Sequence, residues 1–141
     1  MSKILLGAMV AAVILAPTQG LAQVTATVEV MKPDVPPSAK VGESVTIGGF
    51  ASVAITNSSN RLAIVSFSVS ITDSTGKLNL AKSSAVCLVN PNGKKRFHVN
   101  GPRQLSYDHP GTVTVTCAAS VSGDGIKKSN SLSTSFKVAS Q

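Results

Sequence analysis

Apolar and polar residues alternate along most of the chain after residue 22. In residues 65–72 every odd position is apolar and every even position carries a hydroxyl group. A period of two is typical of a β-strand with one buried face and one face in water. Residues 112–117 repeat the pattern and place Cys117 on the buried face. Five further segments are predicted strands: residues 24–31, 44–55, 85–89, 96–99 and 132–138.

Turn signals separate these segments at short intervals, which favours antiparallel strands over a parallel sheet with crossover helices. Residues 90–93 (Asn-Pro-Asn-Gly) and 123–125 (Gly-Asp-Gly) are typical of hairpin turns. The pair Gly48 and Gly49 lies inside a predicted strand and indicates a bulge or a close backbone approach. We therefore predict an all-β fold, an antiparallel sandwich of seven or eight strands in a single domain spanning residues 23–141.

The first 22 residues have the pattern of a secretory signal peptide. Lys3 supplies a positive start, residues 4–15 form an apolar run, and residues 20–22 (Gly-Leu-Ala) provide small residues at a cleavage site. The apolar run is shorter than the roughly 20 residues that a membrane-spanning helix needs. We expect an exported protein, in the periplasm, outside the cell or at its surface, with no membrane span after cleavage.

Export changes what the two cysteines are expected to do. In an oxidising compartment Cys87 and Cys117 are predicted to form a disulfide that closes a loop of about 30 residues. Such a bridge would stabilise the fold by roughly 3 to 4 kcal/mol. A redox role would favour cysteines close together in sequence, as in Cys-x-x-Cys, so the expected role is structural.

One segment resembles a known family. Tyr107, the Pro110-Gly111 turn and the alternating Thr/Val run that follows resemble the last strands of bacterial immunoglobulin-like domains of the polycystic-kidney-disease-repeat type. With the strand that follows, the resemblance spans residues 105–138. It implies an immunoglobulin-like sandwich. The family's tryptophan-containing signature is missing, and the resemblance transfers no functional residue, because this architecture carries many unrelated functions.

Catalytic and metal-binding patterns are sparse in this sequence. Two histidines and six acidic residues are scattered along the chain, so neither a metal site nor a carboxylate pair is predicted. Asp108 and His109 are adjacent but lie in a predicted turn, and His98 alternates with apolar neighbours as a solvent-facing strand residue would. The chain also contains no Gly-x-Ser-x-Gly and no phosphate-binding glycine loop. We predict a protein that is not an enzyme and needs no cofactor.

Positive charge is the remaining functional signal. After residue 22 the chain has 12 basic and 6 acidic residues. Lys94, Lys95 and Arg96 follow a predicted turn, with Arg103 nearby, and could form a patch for an anionic partner such as lipopolysaccharide or another polysaccharide. Alternatively, these residues only keep the sandwich soluble and discourage edge-to-edge pairing of strands. Nucleic acid is not expected, because few aromatic residues are available for stacking on bases.

These observations leave two classes of function. The first is an exported, non-enzymatic, immunoglobulin-like interaction protein, a monomer that binds a protein or an anionic component of the cell envelope through its loops. The second is a pilus or fimbrial subunit that polymerises when a strand of one chain joins the sheet of the next. Residues 24–30 alternate as such a donor strand would, but they also suit the first strand of a self-contained domain.

Overall fold

The alternating segments form β-strands in the computed structural model, which describes residues 23–141. The predicted signal peptide, residues 1–22, lies outside the described residues. Within residues 23–141 the strands number nine and no helix is present that could cross a membrane. The strands are β1 (Val24–Asp34), β2 (Ser38–Lys40), β3 (Val45–Asn57), β4 (Ala63–Asp73), β5 (Asn79–Val89), β6 (Gly93–Asn100), β7 (Arg103–Leu105), β8 (Gly111–Gly123) and β9 (Ile126–Ala139).

The strands form two sheets. The larger sheet has the order β2-β9-β8-β4-β5, and the smaller one has the order β1-β3-β6, with β7 also paired to β3. Neighbouring strands are antiparallel except β2 and β9, which run parallel over three residues. The strands β6 and β7 continue along β3 in one register, and residues Gly101 and Pro102 separate them.

The inward residues of both sheets share one core, which valine dominates. Phe67 of β4 and Phe97 of β6 stack across the two sheets with ring centroids 3.8 Å apart. Gly49 of β3 lies against the Cys117 thiol, because a Cβ atom added at Gly49 would be 2.7 Å from Cys117 Sγ. The sequence predicted a bulge or a close approach at Gly48 and Gly49. The close approach is found at Gly49 and lets the two sheets pack tightly here, and the register of β1 against β3 also shifts opposite this pair, between Met31 and Asp34.

All seven predicted strands are present, so the all-β prediction is confirmed. Two additional strands, β2 and β7, have three residues each and are too short to show a period of two. The turn predicted at residues 123–125 joins β8 and β9 as a hairpin in which Asp124 and Gly125 both have positive φ. The turn at residues 90–93 instead connects β5 to β6, which lie in different sheets, so the hairpin predicted there is wrong.

The predicted disulfide is also wrong, since Cys87 and Cys117 are both free and buried. They lie on β5 and β8, the two neighbours of β4 in the larger sheet. Cys87 is opposite Val65 of β4, whereas Cys117 is opposite Ile71, six residues further along that strand. Two strand spacings alone separate the cysteines by about 10 Å. A disulfide requires Cα atoms within about 7 Å.

Candidate anion-binding surface

The core sets the orientation of β6, the strand that carries the predicted basic residues. Phe97 stacks on Phe67 and Val99 is buried, so these two side chains face the other sheet. Because side chains alternate along a strand, Lys94, Arg96 and His98 point away from the core. All three are exposed.

Lys94, Lys95 and Arg96 form one continuous surface, which we call the basic strip. Lys94 and Arg96 pair in register with Thr56 and Ala54 of β3, and the three basic residues line a shallow groove together with that part of β3. Lys95 pairs with the buried Ile55 and so lies on the inward side of the strand. It is nevertheless exposed, because it lies at the rim where the core ends. The opposite side of β6 pairs with no strand in the described part of the chain, so its backbone edge is open.

The basic strip has no acidic partner among residues 23–141. The two ion pairs in this part of the chain are Arg61–Asp124 at 2.7 Å and Lys77–Asp108 at 3.6 Å, and neither involves the strip. On the same outer face, the carboxylate in register with β6 is that of Glu29. Glu29 is opposite Ser52 of β3, and Ser52 is opposite His98 of β6, so one strand separates Glu29 from His98. The positive charges of the strip are thus available to an anion in solvent.

Arg103 does not join the strip. It pairs with Ile47 of β3, whereas Arg96 pairs with Ala54, seven residues away along the same strand. Seven residues of extended strand span about 23 Å. Of the four basic residues singled out from the sequence, the structure therefore brings together Lys94, Lys95 and Arg96 and leaves Arg103 towards the other end of the sandwich.

A buried asparagine holds the turn that precedes the strip. Asn57 is fully buried at the end of β3, and its Nδ2 donates to the carbonyl oxygens of Arg61 at 2.8 Å and Val89 at 2.9 Å. Its Oδ1 accepts from the backbone N–H of Ser59 at 3.0 Å and from the Ser59 hydroxyl at 2.6 Å. The β3–β4 loop and the β5–β6 turn are therefore tied to one side chain. The sequence signal was a polar residue at an inward strand position.

A salt bridge stabilises the same end of the sandwich. Arg61 donates to both carboxylate oxygens of Asp124, which lies in the β8–β9 turn, and the N–H of Ile64 donates to the same carboxylate at 3.2 Å. The hydrogen bond from Arg61 lowers the pKa of Asp124. The β3–β4 loop, the β5–β6 turn and the β8–β9 turn are thus linked by side-chain hydrogen bonds at this end, and they hold the start of the basic strip in place.

A second group of polar residues lies at the opposite end, in a cavity lined by Thr75, Lys77, Tyr107, Asp108 and His109. The Tyr107 hydroxyl donates to Asp73 at 2.6 Å, and burial together with this hydrogen bond raises the pKa of Tyr107. Asp108 pairs with Lys77, and His109 is exposed in the turn before β8. Tyr107 therefore stays neutral and bound to Asp73, an arrangement suited to joining two loops.

The described histidines and cysteines are dispersed. His98 stacks against Phe50 with ring centroids 6.4 Å apart and is solvent-facing, as its strand position predicted. In the structure of residues 23–141, no three or more His, Cys, Asp or Glu side chains gather closely enough to hold a metal ion. Burial raises the pKa of the Cys117 thiol, which keeps it protonated.

Comparisons with known proteins define no family for the chain. No protein-family model matches the sequence, and no curated protein matches it. Among solved structures, a putative ApaA protein from Bordetella pertussis is 19% identical, with 83% of this chain and 94% of that chain covered and a TM-score of 0.32. A family 123 glycoside hydrolase from Clostridium perfringens is 12% identical, with 84% and 28% covered and a TM-score of 0.35. The chain thus spans less than a third of that hydrolase.

Proposed function

We propose that this chain is an exported, non-enzymatic binding protein that holds an anionic polysaccharide of the cell envelope on the basic strip. The observation that carries the proposal is the exposure of Lys94, Lys95 and Arg96 on one strand, without a carboxylate in contact. Three adjacent charges without partners attract a polyanion more strongly than the same charges neutralised by neighbouring acids. A linear chain could follow the groove beside β6 and contact all three residues.

We further propose that the two sheets form an immunoglobulin-like sandwich. The order β1-β3-β6 corresponds to strands A, B and E of that fold, and β9-β8-β4-β5 corresponds to G, F, C and C′. In this correspondence the β3–β4, β5–β6 and β8–β9 connections lie at one end, as do the binding loops of variable domains. The basic strip begins at this same end, directly after the β5–β6 turn.

The pairing of β1 supports a self-contained binding domain over a subunit that donates its first strand. From Val24 to Met31 each residue of β1 has a partner in β3 of the same chain. Lys128 of β9 also donates a hydrogen bond to the Ala26 carbonyl at 2.7 Å. Donating this strand to a neighbouring chain would break these contacts.

Binding to dextran sulfate tests the proposal, with uncharged dextran as the reference polymer. The variant K94Q/K95Q/R96Q should bind dextran sulfate at least about tenfold more weakly than the wild type, measured by isothermal titration calorimetry at low salt. Wild-type affinity should fall as NaCl rises from about 50 to 500 mM, because salt screens exposed charges. Neither protein should bind dextran.

The matched control removes three exposed basic residues elsewhere, in the variant K32Q/K40Q/K137Q. It has the same net charge as the strip variant, so it should retain most of the wild-type affinity if position matters. Equal losses in the two variants would show that net charge alone attracts the polymer, and the strip proposal would then be abandoned.

A further inference from the structure

The outer face of the larger sheet carries almost no charge, in contrast to the face that bears the basic strip. Its outward positions on β4 are Ile64 followed by serine or threonine at every second residue up to Thr72. The outward positions of β8 are threonine, serine and alanine, and those of β5 include no charged residue. On β9, Lys127 and Lys137 lie near the two ends of the strand. We call this surface of β5, β4, β8 and β9 the neutral face.

The polar side chains of the neutral face are arranged in rows across the strands. Ser83, Ser68, Ser120 and Ser129 are in register on four consecutive strands. Hydroxyl groups pair across β8 and β9, since both Thr114–Ser135 and Thr116–Ser133 are joined at 2.8 Å. A hydroxyl that already has a protein partner loses less when water is removed. Covering this face is therefore less costly than covering a row of charges.

Exposed apolar side chains collect at one corner of the neutral face. Ile64 is 55% exposed and lies directly opposite Leu88, which is 45% exposed. Val86 and Leu62 are exposed nearby, so four of the six exposed large hydrophobic side chains among residues 23–141 belong to this corner. Single exposed apolar residues are ordinary, whereas a cluster marks a surface that another molecule covers.

From these observations we propose that two copies of the chain associate through their neutral faces to form a two-fold dimer. Residues 23–141 contain 12 basic and 6 acidic residues, so two copies repel each other wherever their charged surfaces meet. The neutral face is the broad surface that avoids this repulsion. Four strands of about 11 residues cover roughly 700 Å², and a dimer would bury about 1,400 Å² in total, within the usual range for stable complexes.

The proposed dimer differs from the monomer that was expected from the sequence. It is independent of the proposed polysaccharide binding, because β6 lies in the other sheet. A dimer would present two basic strips on opposite outer surfaces, so a long polyanion could contact both copies only by passing around the particle.

Sedimentation velocity of the purified exported protein tests this proposal over about 1 to 500 μM. The weight-average mass of the wild type should rise towards twice that of the monomer. The variants I64K and S68K, each of which places a charge on the neutral face, should weaken association at least about tenfold. Both positions tolerate a lysine sterically because they are not buried, and circular dichroism should confirm that both variants fold.

Two control variants show whether association depends on the neutral face or on charge in general. T27K adds the same charge at an exposed outward position of β1, and K94Q/K95Q/R96Q removes the basic strip; both should associate as the wild type does. A wild type that stays monomeric across the range would overturn the dimer. So would a T27K variant that associates as weakly as I64K.

Discussion

At the scale of single residues, Asn57 has the largest expected effect on stability. Replacing it with alanine leaves the Val89 carbonyl and the Ser59 N–H without their partners inside the protein. Unsatisfied buried polar groups cost about 1 to 3 kcal/mol each, so we expect N57A to lower the free energy of unfolding by about 3 kcal/mol. Urea unfolding followed by circular dichroism measures the change.

The neighbouring Asn60 provides the control for Asn57. It is exposed in the same loop. Substitution of an exposed loop residue usually changes stability by no more than about 0.5 kcal/mol, and N60A should stay within that range. If N57A were as stable as N60A, the hydrogen bonds of Asn57 would not be what holds the β3–β4 loop to the β5–β6 turn.

Tyr107 gives the fold a dependence on alkaline pH. Its pKa is raised in the folded protein by burial and by the hydrogen bond to Asp73, while an unfolded tyrosine titrates near about 10. The folded form therefore holds the proton more tightly. Its contribution to stability is complete below about pH 10 and is lost as the pH rises above that value.

The variant Y107F isolates this contribution. At neutral pH we expect it to be about 1 to 2 kcal/mol less stable than the wild type, because the hydrogen bond to Asp73 is lost. The difference should shrink as the pH rises from about 9 to 11, since only the wild type loses stability through this group. Urea midpoints measured at several pH values check the trend, and a constant difference across that range would contradict it.

At the scale of elements, period-two alternation located the strands along the chain but did not predict which strands lie next to each other in a sheet. A strand with one buried face, such as β4, shows the pattern clearly because every second residue is in the core. The first half of β5 is an exception, since this edge strand is exposed at most positions, and only residues 85–89 were predicted. The three-residue strands β2 and β7 were not predicted, because they are too short to show alternation and their pairing depends on residues distant in sequence.

The basic strip and the cysteines show what alternation does and does not determine. Lys94, Lys95 and Arg96 are consecutive, so any strand through them keeps them together. Arg103 lies beyond the Gly101 and Pro102 interruption, and the shared register along β3 carries it away from the strip. For Cys117 the buried face was predicted correctly. The distance between Cys87 and Cys117 depends on which strands are neighbours in the sheet, and the local sequence pattern does not contain that information.

At the scale of the whole molecule, stability must come from the shared core of the two sheets, because no crosslink joins them within residues 23–141. The described cysteines are free thiols. Aromatic stacking across the sheets and the close approach of Gly49 to Cys117 supply contacts between the two sheets. The thermal midpoint should therefore be the same with and without dithiothreitol.

A disulfide closing the 87–117 loop would contribute roughly 3 to 4 kcal/mol, and its reduction would lower the midpoint of a domain of this size by about 10 °C or more. Scanning calorimetry distinguishes that drop from no change. The free thiols can also be counted directly. The protein is unfolded without reductant and treated with iodoacetamide, and mass spectrometry should show two labelled cysteines. An unlabelled mass, together with a lower midpoint after reduction, would mean that the protein forms the bridge. That bridge would require a different register of β5 or β8 against β4.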